Sequence, residues 1–179
     1  MDIQIQSDYY RMTGIKYKSG FNSIVQFIFN HQLRYVFWWR KHIKRPSICT
    51  RAILYRYSRK YGLEISTSAE IGEGLYLEHP YNITVGNGVK IGKNVNLHKG
   101  CTLGRENRGS RTGSPTIGDN VYVGINATIV GNVLVGSNVL IAPGAFVNFD
   151  VPDNSIVIGN PGTIHYNKDA VEGYIAHRI

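Results

Sequence analysis

A mainly β protein, wound as a parallel β-helix behind a small α-helical region, is what this sequence predicts, and three observations carry the prediction. An aliphatic residue returns at every sixth position, as Ile65, Ile71 and Leu77, then Val85, Ile91, Leu97 and Leu103, then Ile117, Val123, Ile129, Val135, Ile141 and Val147. A second small or β-branched residue falls four places after many of these, at Val95, Cys101, Val121, Ala127, Val133, Val139 and Ala145. Glycine often follows the aliphatic residue directly, as in Ile71-Gly72, Ile91-Gly92, Ile117-Gly118 and Val135-Gly136. A hexapeptide period is the signature of a solenoid in which each unit supplies one short strand and one turn. The aliphatic residue points inward, the small residue shares the narrow interior, and Gly or Asn takes turn positions that need positive φ. No single coil buries its inward face, so stacked coils share one core. A period of six also rules out an amphipathic helix, whose apolar residues recur every 3.6.

The elements follow in chain order. Ahead of the repeat, residues 19–42 and 48–61 read as helices divided at Pro46. Within the repeat the period breaks twice. A step of eight separates Leu77 from Val85, and LYLEHPYNITVG (residues 75–86) there presents Glu78, His79 and Pro80. A step of fourteen separates Leu103 from Ile117 and extrudes a polar loop with three arginines, GRENRGSRTGSPT (residues 104–116). A long loop on a tightly wound solenoid is a candidate for function. After Val147 come a polar turn, a short strand and a Gly-Asn-Pro-Gly turn, and the last residues read as a short helix. The expected organisation is a helical region at 1–62, a solenoid at 63–165 and a tail at 166–179.

A length of 179 residues suits one domain or one domain with an appendage, and 42% hydrophobic against 18% charged residues excludes a disordered chain. The N-terminal residues lack the apolar segment of a secretory signal, and the longest strongly apolar run, residues 35–39, falls far short of a membrane span. Cys49 and Cys101 make no disulfide or metal spacing, so a cytoplasmic location is expected. The net charge of +8 is uneven. Up to Gly62, twelve Lys/Arg stand against Asp2 and Asp8; from Leu63 onward, eight stand against ten Asp/Glu. Nucleic-acid binding has only this charge in its favour and no motif, and is not expected. The basic aromatic stretch around residues 35–39, flanked by Arg34, Arg40, Lys41, Lys44 and Arg45, has two readings. Packing of a helical cap is preferred over contact of an interfacial helix with an anionic membrane surface.

The repeat, the phrase LYLEH, the run NVNLHKGCTLG, the loop, the run IGDNVYVGINATIVGN and the closing VIGNPG together resemble the hexapeptide acyltransferases. Within them the chain is most similar to the serine acetyltransferase branch and its glycan O-acetyltransferase relatives, over roughly residues 63–164. The resemblance implies a left-handed parallel β-helix, a homotrimer, and acetyl-CoA as co-substrate in a groove between neighbouring solenoids, with no metal. It implies His79 as general base, a role suited to a neutral imidazole. It implies Glu64, fifteen residues earlier, as the carboxylate that orients His79. Glu78 stands where the family has an Asp that helps hold the acceptor, and Asp8 is the candidate for an N-terminal Asp of the acceptor site. By family position Gly104, Ile125, Ala142 and Pro143 line the pantetheine groove, with Asn160, Pro161 and Gly162 near the nucleotide. His98, nineteen residues after His79, reads as structural or groove-lining.

One departure bears on the acceptor. Where serine acetyltransferases end the loop with Arg-His-Pro, this chain has Gly113-Ser114-Pro115. Losing a carboxylate ligand weakens recognition of an amino acid. The expected acceptor is therefore a hydroxyl of a sugar or surface-polysaccharide precursor, contacted by Glu78, Asp8, Ser114 and Arg111, with L-serine as the alternative. Arg105, Arg108 and Arg111 remain available for an anionic acceptor. Two other classes compete: a zinc-dependent carbonic anhydrase-like solenoid, for which no closely spaced His pair exists, and a non-catalytic scaffold. For His79 alone the bland reading is a surface or packing histidine.

Overall fold

A computed structural model describes residues 2–179. Four helices open the chain: α1 (Ile3–Thr13), α2 (Phe21–Phe29), α3 (His31–Lys44) and α4 (Ile48–Tyr61). The sequence reading missed α1, although its stops are local: the Asp2 side chain accepts from the Gln4 N–H, and Gly14 ends the helix at φ 70°. The helix expected over residues 19–42 is two helices, broken at Asn30. Helix α4 starts on a Ser47–Thr50 capping box after Pro46 and stops at Gly62. The basic aromatic stretch packs inward on α3: Tyr35, Val36 and Trp39 join the solenoid core, the Tyr35 hydroxyl accepts from the Ile65 N–H, and Trp39 Nε1 donates to the Ser66 carbonyl.

The remainder winds into about five coils. The first holds β1 (Glu64–Ile65), β2 (Glu70–Ile71) and β3 (Tyr76–Glu78), and the second β4 (Thr84–Val85), β5 (Lys90–Ile91) and β6 (Asn96–His98). The third holds β7 (Thr102–Gly104), β8 (Thr116–Ile117) and β9 (Val121–Val123), and the fourth β10 (Thr128–Val130), β11 (Leu134–Val135) and β12 (Val139–Ile141). The fifth holds β13 (Phe146–Val147), a bridge at Val151 and β14 (Ser155–Ile158), on which β15 (Thr163–Tyr166) folds back antiparallel. Strands stack in parallel into three faces: β1-β4-β7-β10-β13, β2-β5-β8-β11 and β3-β6-β9-β12-β14, called here the first, second and third. Register keeps the repeat residues in columns, Ile65-Val85-Leu103-Ile129-Val147 on the first face and Leu77-Leu97-Val123-Ile141-Val157 on the third, all buried. A fully buried Leu contributes about 1.5–3 kcal/mol of transfer free energy, so these columns hold the coils together.

The predicted glycines divide into two jobs. Positive φ falls three places after the aliphatic residue, on Asn94, Asn120, Asn126, Asn138, Gly74, Gly88, Gly100 and Gly144. Glycines that directly follow it serve close stacking instead. A Cβ on Gly92 would meet the Gly118 carbonyl at 2.7 Å, and one on Gly118 would meet Gly136 at the same distance. The tail differs from expectation: residues 168–174 form turns and no helix, and they lie across the third face.

Candidate active site

The two breaks in the period fall at different corners of the prism. A full coil takes 18 residues between Val85 and Leu103 but 20 between Ile65 and Val85. The two extra residues sit between β3 and β4, at the corner joining the third face to the first, and this is where His79 lies. His79 adopts φ 47° and Asn82 φ 55°, a left-handed region that non-glycine residues seldom occupy. The His79 carbonyl accepts from the Tyr81 N–H at 2.8 Å, closing a tight turn, and Asn82 N donates to the Tyr61 carbonyl at the end of α4. Tyr81 meets Tyr61 edge-on, and Tyr61 stacks on His31 at 4.4 Å, so helices brace the turn from below. The His79 side chain is exposed and hydrogen-bonds no described residue.

The same corner repeats in each coil above. Gly100 N donates to the Tyr81 carbonyl, Asn126 N to the Lys99 carbonyl, and Gly144 N to the Ile125 carbonyl. Ile125 and the Ala142-Pro143 pair therefore lie in the same column, two and three coils above His79's turn. Asn160, Pro161 and Gly162 cap the column, joined by a cis Asn160–Pro161 bond and tied down by Gly162 N to the Phe146 carbonyl at 3.0 Å. At the usual strand spacing this edge runs roughly 19 Å from the first coil to the fifth. Gly104 stands apart, at the end of β7 on the corner between the first and second faces, where its carbonyl accepts from Gly131 N.

That other corner extrudes the loop. Between Leu103 and Ile129 a coil takes 26 residues, eight more than the standard turn. The loop is an ordered hairpin with paired bonds between Glu106 and Gly113 at 2.9 Å. Arg111 Nε reaches Glu106 Oε2 at 3.3 Å, and the Ser114 hydroxyl donates to the Asn87 carbonyl at 2.6 Å. Within one chain, Arg111 and Ser114 are thus brought to a different corner from His79.

Beside His79, Glu78 ends β3 in register with His98 of β6. His98 Nε2 lies 3.0 Å from Glu78 Oε2, a close polar approach without hydrogen-bond geometry. Burial lowers the His98 pKa, Glu78 raises it, His79 lowers it again, and the net direction is down. Glu64 is exposed on β1, where Oε1 accepts from the Ser58 hydroxyl at 2.9 Å; no bond joins it to His79. It lines a cleft of about 870 Å³ between α3, α4 and the first coils, which His79 does not line. Asp8 is buried on α1, where it takes the Arg40 guanidinium on both oxygens and accepts from Leu75 N at 2.8 Å. Burial still pushes its carboxyl above the ordinary value. Among the described residues no three His, Cys, Asp or Glu are grouped to hold a metal ion, and no helix is long and apolar enough to cross a membrane.

The bacterial transferase hexapeptide (six repeats) family matches residues 114–148. That match runs from the loop end through the third and fourth coils of the solenoid to β13. Serine acetyltransferase 2 of Arabidopsis thaliana is 35% identical over 113 residues, covering 63% of this chain and 35% of the relative. A Staphylococcus aureus serine acetyltransferase is 38% identical over 103 residues, covering 58% of this chain and 48% of the relative. The chain thus spans between about a third and a half of these relatives. Among solved structures, serine acetyltransferase from Neisseria gonorrhoeae in complex with serine aligns at a TM-score of 0.72 and 27% identity, over 91% of this chain and 66% of that one. Apo soybean serine acetyltransferase aligns at 0.71 and 25%, over 91% and 66%. The architecture is accordingly that of the left-handed parallel β-helix.

These likenesses correct the expected acceptor. The relatives named are serine acetyltransferases, and none is a sugar or polysaccharide O-acetyltransferase. The physical reason lies in the hairpin: Gly113-Ser114 replaces two charged positions, but Arg105, Arg108 and Arg111 stay on the same loop, so the substitution does not decide the acceptor.

Proposed function

We propose that the chain transfers the acetyl group of acetyl-CoA to the hydroxyl of L-serine. The observation that carries this is the corner column. An exposed histidine in a strained turn, next to a carboxylate, stands at the foot of Ile125, Ala142-Pro143 and Asn160–Gly162, the positions the resemblance assigns to the cofactor. The names of the relatives supply the acceptor.

In this reading His79 takes the proton of the serine hydroxyl as its oxygen attacks the thioester carbonyl. The C–O bond forms, the C–S bond breaks, and the proton taken by His79 passes to the sulfur, so CoA leaves as the free thiol. Glu78 supplies negative charge for the acceptor's ammonium. Glu64 orients the imidazole, which requires its carboxylate to leave Ser58. Gly104, Ser114 and Arg111 lie at another corner of the same coils, so they complete the site only from a neighbouring copy. A homotrimer that sets one chain's loop corner against the next chain's His79 corner provides this. Acceptor contact by Asp8 would require its Arg40 pair to open, and is left out. The transferase unit is residues 63–165, with the helices of 1–62 bracing it.

The test is product identity. Purified protein incubated with acetyl-CoA and L-serine should yield O-acetyl-L-serine and free thiol in equal amounts. Thiol release that is independent of serine, or no product at millimolar serine, would overturn the reading.

A further inference from the structure

Glu78 is not held by the repeat alone. It faces His98 in the next coil, and the His98 ring, 4% exposed, lies against Tyr122 of β9 with centroids 4.4 Å apart. Tyr122 in turn meets Tyr174 edge-on at 5.1 Å. Tyr174 belongs to the tail, which several side chains hold on the third face. Asn96 Nδ2 donates to the Tyr174 carbonyl at 3.3 Å, Arg11 donates to the Ala176 carbonyl and to Asn96 Oδ1, and Asn138 Nδ2 donates to the Lys168 carbonyl at 2.7 Å. Ala170, Val171 and Ile175 pack with Leu140 and anchor the same segment. One contact path therefore runs from the tail through two tyrosines and an imidazole to the carboxylate beside His79.

We infer that His98, backed by Tyr122 and the tail's Tyr174, is a positioning residue. It holds one carboxylate oxygen of Glu78 against the imidazole and leaves the other for the acceptor's ammonium. The inference rests on the proposed serine acetylation. It gives the tail a part in acceptor affinity that nothing in the repeat would supply. A carboxylate on a flexible side chain loses rotamer freedom when it binds, and fixing it beforehand removes that cost. The tyrosines also keep water from the far side of the imidazole, which favours its neutral form.

Two measurements test this. In steady-state kinetics, His98→Ala should raise the KM for L-serine at least tenfold while the KM for acetyl-CoA stays within twofold. Tyr174→Ala should shift the same constant in the same direction by about threefold, and His98→Gln, which keeps a neutral polar group facing Glu78, should restore most of the loss. Equal movement of both constants, or no movement of either, would overturn the inference. The second measurement needs no turnover: NMR titration of the His98 imidazole in the full chain and in Glu78→Gln. The titratable groups facing it are Glu78 and His79 from the first coil, Tyr122 from the third and Tyr174 from the tail. Glu78 draws the proton toward His98, so its removal should move the titration to lower pH; an unmoved midpoint overturns the pairing. If the native protein makes no O-acetyl-L-serine, the proposed function fails, and the titration decides the pairing by itself.

Discussion

The second and third faces of the prism share one inward pattern and have opposite outward ones. Inside, both present stacked aliphatic residues fixed by the repeat. Outside, the second face carries Glu70, Lys90, Thr116 and Leu134, largely exposed, with one ion pair at 3.8 Å. The third face carries Tyr76, Asn96, His98, Tyr122 and Leu140, roofed by α1 near the first coil and by the tail beyond it. The repeat dictates what points inward and leaves the outward positions free. Those positions take their chemistry from what covers them, and the covered face borders the corner with His79.

The sharpest way to break the contrast is to unroof the third face. Asp8 and Arg40 form a buried pair, and Arg40 also donates to the Ile71 and Gly72 carbonyls at 2.6 and 2.5 Å. Asp8→Ala leaves a buried cation with reduced compensation and should cost about 3–5 kcal/mol, read as a drop in the denaturant midpoint. Gly118→Ala tests the stacking instead. Its Cβ has no room against Gly136, and overpacking of this kind costs about 1–3 kcal/mol. Lys90→Ala on the open second face should leave the melting temperature unchanged, since both partners of its ion pair are exposed.

A pH effect should sharpen the same contrast. Burial holds the folded-state pKa of His98 below its ordinary value, so the unfolded chain binds its proton more readily. Stability should therefore be complete above about pH 6.5 and fall as the pH drops toward the lowered folded value. His98→Gln should flatten that slope and leave the part that His31, also lowered by burial, contributes, as checked by denaturation at several pH values.

The inward columns were legible because one period governs them: Leu77, Leu97, Val123 and Ile141 stand 20, 26 and 18 residues apart, three six-residue units each plus the two insertions. The turn that carries His79 was legible for the opposite reason, since two extra residues interrupt the period there. The outward third face was not legible. Its residues meet partners far along the chain, as Asn96 meets Arg11 and Tyr174, 85 and 78 positions away, and no local pattern marks such pairs. Asp8 was read as an acceptor residue from the family's N-terminal Asp, and its pairing with Arg40 was not legible because it arises only once α1 and α3 pack together. Helix α1 escaped notice although Asp2 and Gly14 mark its ends. The acceptor was misread because two loop positions were weighed above the three arginines of the same loop.

The most direct test of the account is the serine-dependent rate of thiol release in His79→Ala against the native chain, with acetyl-CoA affinity measured alongside. The account predicts a fall of roughly 10²–10⁴ in rate with acetyl-CoA affinity unchanged, the usual contribution of a general base. A variant that retains the native rate would show that the strained corner is structural and that the proton is taken elsewhere.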